Sequence, residues 1–594
     1  MTPPAPTDTI RYTVRMPRPH THRFAVEARF PASGGDLLVA LPVWNPGSYL
    51  VREFAKHVQS VTAETPDGSP LQVSRADKSS FLVRSGGAEV LLRYEVYANE
   101  LSVRTSHLDG SHAFWNGATL FLYDEARRHL EHRVRVEAPA AWRVSTALDP
   151  DPATGEYVAA DYDHLVDSPF ECGPHTVHRF EVLGVPHELL FWGGEPPDLP
   201  RVLSEVQRVC EHEALFFGGL PHRRYLFIVH LLEKGRSGLE HRDSSVLVYA
   251  RNGWSTPRGR EDFLHLVAHE YFHLWNMKRL RPAGLTPLDY GRENYTRLLW
   301  AFEGLTSYYD MLLTRRAGLT PPGRYLQRLG EAFTQLHGVP GRRVMTLEDA
   351  SLQAWVKQYR PDENSANSAV SYYLKGELVG FLLDITLRKL TGDEKSLDDV
   401  MRLLWARYGV QGGGVPEDAW EAAAEEVAGQ SLRAFFDRAL RSTEELDSSS
   451  LAHVGLDLRF RPKESAGDKG GTPPRSRDPR PRGWLGANVR QSGTVSVVYA
   501  DSPAMDAGLY VDDEVIALDG ARVDGAALLS RIDERAPGDT VRLTFFRRDK
   551  LMELDVTLGA KPEDAVWLVR SDAPTEAQKR AYAAWIGAAW DAEG

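Results

Sequence analysis

Apolar and polar positions alternate through the first third of the chain. Phe24, Val26, Ala28 and Phe30 fall on one face of an extended segment, and Leu92, Tyr94 and Val96 on another. A period of two marks strands with one buried face. Turns rich in proline and glycine separate these runs, as in LPVWNPGSYL around Pro46 and Gly47, so residues 1–175 are expected to form an antiparallel β-sandwich. Beyond about residue 200 the period lengthens. VLSEVQRVCEHEALFF has helical spacing, YLFIVHLL (225–232) reads as a buried strand, and residues 258–445 are mainly helical, as in VSYYLKGELVGFLLDITLRKL (370–390). Periodicity lapses in RPKESAGDKGGTPPRSRDPRPR (461–482) and resumes as strands over 483–560, around one helical stretch, GAALLSRIDERA (525–536). A short tail, 561–594, has helical spacing around AQKRAYAAWIGAAW. The pattern predicts an α+β multidomain chain: a β-sandwich over 1–175, a mixed domain over 176–460, a linker over 461–482, a small strand-rich domain over 483–560, and the tail.

Length agrees with that division, since 594 residues exceed what one core holds. A chain that is 42% hydrophobic and 26% charged has an ordinary globular composition. The net charge of −12 gives no basis for binding nucleic acid. The one basic stretch is 461–482, where seven Lys/Arg stand against three Asp/Glu, and it reads as a solvated linker. No run of about 18 apolar residues suggests a membrane span. The first residues lack the apolar core of a secretory signal, so a cytoplasmic location is expected. Two cysteines far apart, Cys172 and Cys210, make neither a disulfide framework nor a cysteine zinc knuckle.

Candidate chemistry is concentrated in AHEYFHLWN (268–276). Ser255 or Thr256 followed by Pro257 is a helix start, and EDFLHLVAHEYFHLWNMKRL then runs to Pro282 without Gly or Pro. Residues four apart share a helix face, so His269 and His273 point toward one ion. Glu270 then reaches a metal-bound water rather than the metal, the arrangement of a zinc peptidase with a glutamate general base. Such a spacing also arises by chance with structural histidines, but the helical setting favours the metal. Catalytic zinc takes a third protein ligand and keeps one position open. Glu293 lies 20 positions beyond His273, a thermolysin-like spacing, and Glu303 lies 30 beyond it; spacing alone favours Glu293.

HEYFHLWNMKRLRP and ENYTRLLWAFEGLTSYYD resemble the glycyl aminopeptidase family of zinc peptidases, distant relatives of the aminopeptidase-N group. LPVWNPGSYLVREFAKHV, FWNGATLF, DHLVDSPFECG, SGLEHRDSSVL and SYYLKGELVGFLLDITLR carry the likeness over nearly the whole chain. The resemblance implies a thermolysin-like catalytic domain over 176–460 and, from the EGxTxY context, Glu303 as third ligand, with Glu293 in a supporting role. Gly238-Leu239-Glu240-His241 is similar to the GxMEN loop of aminopeptidase N, which implies that Glu240 anchors the substrate's α-ammonium; His241 departs from the pattern. Tyr373-Leu374-Lys375-Gly376 is similar to the YxKG segment, which implies Tyr373 as oxyanion donor, with its neighbour Tyr372 as the alternative.

GWLG (483–486), DSPAMDAGL and DDEVIALDG look like a PDZ domain, in which Leu485, Gly486 and Ala487 would offer backbone N–H groups to a peptide's terminal carboxylate. The expected function is that of a Zn²⁺-dependent aminopeptidase acting on peptides with a free N-terminus, glycine or alanine first by family likeness. The rivals are a zinc endopeptidase and a PDZ-bearing binding protein with a degenerate zinc site.

Overall fold

The alternation at Phe24–Phe30 becomes the strand Arg23–Phe30, whose Phe24, Val26, Ala28 and Phe30 are all buried. It pairs antiparallel with Thr9–Arg15 and with Val90–Tyr97, inside a sheet of eight strands. The computed structural model describes residues 9–409, 413–475 and 480–592; parts of the expected linker and tail lie outside them. One expectation needs correction. Thr9–Arg15 pairs parallel with Glu131–Glu137, so the sandwich is not wholly antiparallel. The long intervening chain supplies the crossover that a parallel pair requires. A second sheet joins Arg143–Thr146, Phe170–Gly173, Ala113–Trp115 and Ser106–Leu108. It faces the first, with Trp115 edge-on to Phe24 at 5.2 Å between ring centres.

The chain falls into two units, one made of Met1–Tyr295 with Trp405–Val415 and the other of Thr296–Leu404 with Pro416–Gly594. In the first unit a five-stranded sheet runs in the order Thr176–Val182, Val185–Trp192, Tyr225–Leu232, Ser244–Ala250, Arg236–Glu240. Val103 and Phe114 of the N-terminal region pack with Leu190, Ile228, Leu239 and Val246 of this sheet in one apolar cluster. The segment carrying Glu240 is thus an edge strand, fixed from behind by a dry core.

In the second unit, Leu305–Arg316 and Tyr372–Thr391 are neighbouring helices. Ser371 caps the second through the backbone N–H of Leu374. A π-helical turn, Trp300–Gly304, leads into the first. There Gly304 and Gly376 meet back to back: a Cβ added to Gly304 would lie 2.5 Å from the Cα of Gly376. Only residues without side chains permit that approach. Residues 561–592 fold back onto this unit. Ala565–Arg570 pairs with Leu456–Arg461, and the helix Glu576–Ile586 buries Trp585, whose indole N–H donates to the hydroxyl of Tyr308 at 3.0 Å. Between them the PDZ-like strands enclose their own core around Leu485, Val515, Leu528 and Val541. Among the described residues no helix is long and apolar enough to cross a membrane.

Candidate active site

Thr256 and Pro257 start the HExxH helix, Pro257–Phe272, as the sequence predicts: the Thr256 hydroxyl accepts from the backbone N–H of Gly259 at 3.0 Å. The helix stops earlier than Pro282. His273 keeps helical angles, φ −61° and ψ −18°, and the chain then turns, with Met277 at φ 142°. The four-residue spacing therefore survives, and the rings of His269 and His273 lie 4.7 Å apart between centres. His273 Nδ1 donates to the carbonyl of Asn276 at 2.9 Å. A carbonyl only accepts, so this contact puts the proton on Nδ1 and makes Nε2 the acceptor nitrogen of the ring.

Glu240 and Glu270, both buried, come together with His273: one ligating atom of each lies within 4.8 Å of the others. Two carboxylates this close repel one another, and a cation between them relieves the repulsion. Oε1 of Glu240 is buried without a hydrogen-bond partner, an acceptor in want of a donor. Gly238 bears on the same spot. A Cβ there would lie 1.8 Å from Oε1 of Glu270, so this glycine is what lets the edge strand pass the carboxylate. Gly238→Ala is expected to push the Glu270 tip aside, lowering kcat by about 10²-fold through misplacement of the base. The thermal midpoint should fall as well, because that Cβ would also lie 2.3 Å from Cδ and 2.6 Å from Cγ of the buried Glu270. Unchanged kcat in steady-state assays would show that Glu270 needs no such fixed position.

Several residues around Glu240 escape a sequence reading. Gly47, at φ +86°, belongs to the NPG turn, and a Cβ on it would come within 2.4 Å of the Glu240 carboxylate. Arg104 braces the strand behind, donating to the Ser237 hydroxyl at 2.9 Å and the Ser48 hydroxyl at 3.1 Å. The departure at His241 has a structural counterpart: its Nδ1 meets Asp167 at 3.1 Å, and Lys278 reaches the same carboxylate oxygen at 2.9 Å. Burial pushes the Asp167 pKa upward, but the Lys278 ammonium and His241 outweigh it and hold the carboxyl well below its ordinary range. The LPVWNPGSYL and DHLVDSPFECG segments were the available signal, but neither reveals which side chain its turn supports.

The second unit holds the remaining candidates. Glu303 sits in the π-helical turn and is 2% exposed; π turns recur at functional sites. Glu293 lies in the first unit, half-buried on an irregular segment. Tyr373 hydrogen-bonds through its hydroxyl to that of Tyr359 at 3.1 Å. Burial, then the Glu303 carboxylate, then Tyr359 and Tyr372 raise its pKa well above that of a free phenol, so it stays protonated and able to donate. Tyr372 stacks on it at 4.6 Å between ring centres and is itself fully buried.

Leu485, Gly486 and Ala487 belong to the PDZ-like region, between the short strands Gly483–Trp484 and Ala487–Val489 and at the start of the latter. Gly486 takes φ +79° and its carbonyl accepts from the Tyr499 N–H at 2.9 Å. The short strand Ala487–Val489 pairs with Val495–Val498. Asn367 of the helical region clamps the loop that follows, donating to the carbonyl of Val498 and accepting from the N–H of Ala500, each at 2.8 Å.

Comparison with known proteins gives this arrangement its context. Residues 11–174 match the Peptidase M61 N-terminal domain, residues 262–379 the M61 glycyl aminopeptidase family, and residues 474–558 a PDZ domain. A solved aminopeptidase N family protein from Idiomarina loihiensis is 31% identical, with a TM-score of 0.91 over 97% of this chain and 100% of that one. An M1 zinc metallopeptidase from Deinococcus radiodurans is similar at 14% identity and a TM-score of 0.47, over 74% of this chain and 95% of that one. A probable periplasmic serine endoprotease DegP-like from Brucella suis biovar 1 (strain 1330) is 29% identical over 99 residues, 14% of this chain. The match spans only 19% of that protein's length. With both M61 regions and a PDZ domain in order along the chain, and a relative matched from end to end, the protein belongs to the M61 glycyl aminopeptidase family and is a metallopeptidase with aminopeptidase function.

Proposed function

We propose that this metallopeptidase uses zinc, held by His269, His273 and Glu303, to remove N-terminal glycine or alanine from peptides. The observation that carries the reading is the grouping of Glu240, Glu270 and His273, with one Glu240 oxygen buried and unpartnered. Two imidazoles and one carboxylate suit zinc and leave a coordination position open. Zinc bound there supplies Lewis acidity to the scissile carbonyl and to a water. Glu270 takes a proton from the attacking water and returns it to the leaving amine. Tyr373, kept protonated, donates to the developing oxyanion. Glu240 receives the α-ammonium of the substrate by a charge-assisted hydrogen bond, and Gly47 bounds the space behind it. For the PDZ domain, the extended strand and the glycine loop at Leu485–Ala487 support binding of a peptide's C-terminal carboxylate.

Burial in a π-helical turn favours Glu303 over Glu293 as third ligand. Glu303→Ala is expected to lose about one equivalent of zinc relative to the unaltered chain, together with activity, whereas Glu293→Ala keeps both. Elemental analysis of the two purified variants decides, and the reverse ranking would hand the role to Glu293.

A further inference from the structure

A second group of metal-binding side chains lies in the first unit, where the smaller N-terminal sheet meets the five-stranded sheet. His112 immediately precedes the strand Ala113–Trp115, Glu171 lies in Phe170–Gly173, and His230 lies in Tyr225–Leu232. All three are fully buried, and one ligating atom of each falls within 4.8 Å of the others. Only one hydrogen bond joins them, His230 Nε2 to Glu171 Oε2 at 2.8 Å. His112 Nε2, Glu171 Oε1 and His230 Nδ1 are left buried without partners. Native proteins rarely leave one such atom unpaired, and here each of three clustered side chains has one.

The surroundings hold His112 in position. Its other nitrogen, Nδ1, faces the Ser111 hydroxyl at 3.4 Å and Asp109 at 3.8 Å. The Ser111 hydroxyl, which donates to Asp109 at 2.6 Å, can accept the Nδ1 proton, and a hydrogen bond on the outer nitrogen is the usual support for a histidine that ligates through the inner one. Trp192 stacks on the imidazole, 3.6 Å between ring centres. Gly173 allows the strand to close on it, since a Cβ there would meet the His112 Cβ at 2.8 Å. Glu171 and Gly173 are two apart on one strand and so face the same side, while Cys172 between them points away.

We propose that His112, Glu171 and His230 bind a structural zinc-class cation, distinct from the catalytic one, that staples the N-terminal β-region to the catalytic sheet. Two imidazoles and a carboxylate suit zinc, with water in the fourth position. Complete burial implies that the ion enters as the chain folds and leaves slowly. Its effect would reach the site through the sheet: His230's strand pairs with Ser244–Ala250, which pairs with the Glu240 strand.

The test uses the full chain carrying His269→Ala and His273→Ala, produced with zinc and freed of loose metal by gel filtration. This chain is expected to retain about one equivalent of zinc. Glu171→Gln, which keeps a hydrogen bond to His230, or His112→Phe, which keeps the stack on Trp192, should each lower retention at least tenfold when added. Absence of retained zinc in the double variant means that water or nothing fills the cluster and overturns the proposal. Equal retention after both added substitutions overturns it as well. Should the added substitutions prevent folding, the double variant decides alone: prolonged chelation must strip its zinc and lower its thermal midpoint, and a midpoint indifferent to chelation overturns the role.

Discussion

Glu270→Gln leaves the metal content of the chain unchanged and lowers kcat by about 10²–10⁴-fold, the usual contribution of a general acid–base group. Glutamine has the shape of glutamate but takes no proton from water. The ligands do not change, and Gly238 still leaves room for the side chain. Substrate binding should change little, so the loss belongs to kcat rather than to KM. The limb of the pH profile that reports the base should disappear with it. Zinc analysis beside steady-state kinetics checks the expectation. Lost metal would mean that Glu270 is a ligand, and near-normal turnover would mean that another group takes the proton.

Acetylating the N-terminus of a good substrate is expected to nearly abolish cleavage, and Glu240→Ala to lower kcat/KM for the free peptide by about 10–100-fold. The α-ammonium finds a buried carboxylate oxygen that has no other partner, in a setting where a charge-assisted hydrogen bond is strong. An acetyl group removes that charge and adds bulk beside Glu240, where Gly47 leaves no room even for a Cβ of its own. Substrate alignment should suffer more than affinity, because the anchor fixes the carbonyl against the catalytic groups. A matched pair of free and blocked peptides, assayed on both proteins, separates the possibilities. Equal cleavage of the pair by the unaltered protein would identify an endopeptidase and refute the anchor.

Much of this is legible in local sequence, and what is not has a common cause. The helix start at Thr256–Pro257, the buried strand Tyr225–Leu232 and the strand face Phe24–Phe30 follow from capping, residue type and period. These are short-range effects. The parallel pairing of Thr9–Arg15 with Glu131–Glu137 joins residues more than a hundred apart, and no local periodicity encodes a partner. The same holds at the site. The spacing of His269 and His273 announces a metal, yet Glu240 alone is an ordinary charge until tertiary packing buries it beside Glu270. His241 reads as a mere departure from a motif until Asp167 and Lys278 are found against it. Glu303 illustrates a further limit. Its π-helical turn depends on how the helix is packed, and propensity does not distinguish such a turn from regular helix.

The contact of Gly304 with Gly376 carries a consequence for how precisely the chemistry is gauged. Glu303 and Tyr373 hang on opposite sides of that contact, each within three residues of it. Side chains normally cushion crossing helices and let them slide to accommodate a changed neighbour. Here main chain rests on main chain, so the separation between carboxylate and phenol is set by bare backbone, the stiffest gauge a protein possesses. One methyl group at either glycine acts as a wedge, altering the reach of both groups at once while leaving every polar side chain intact.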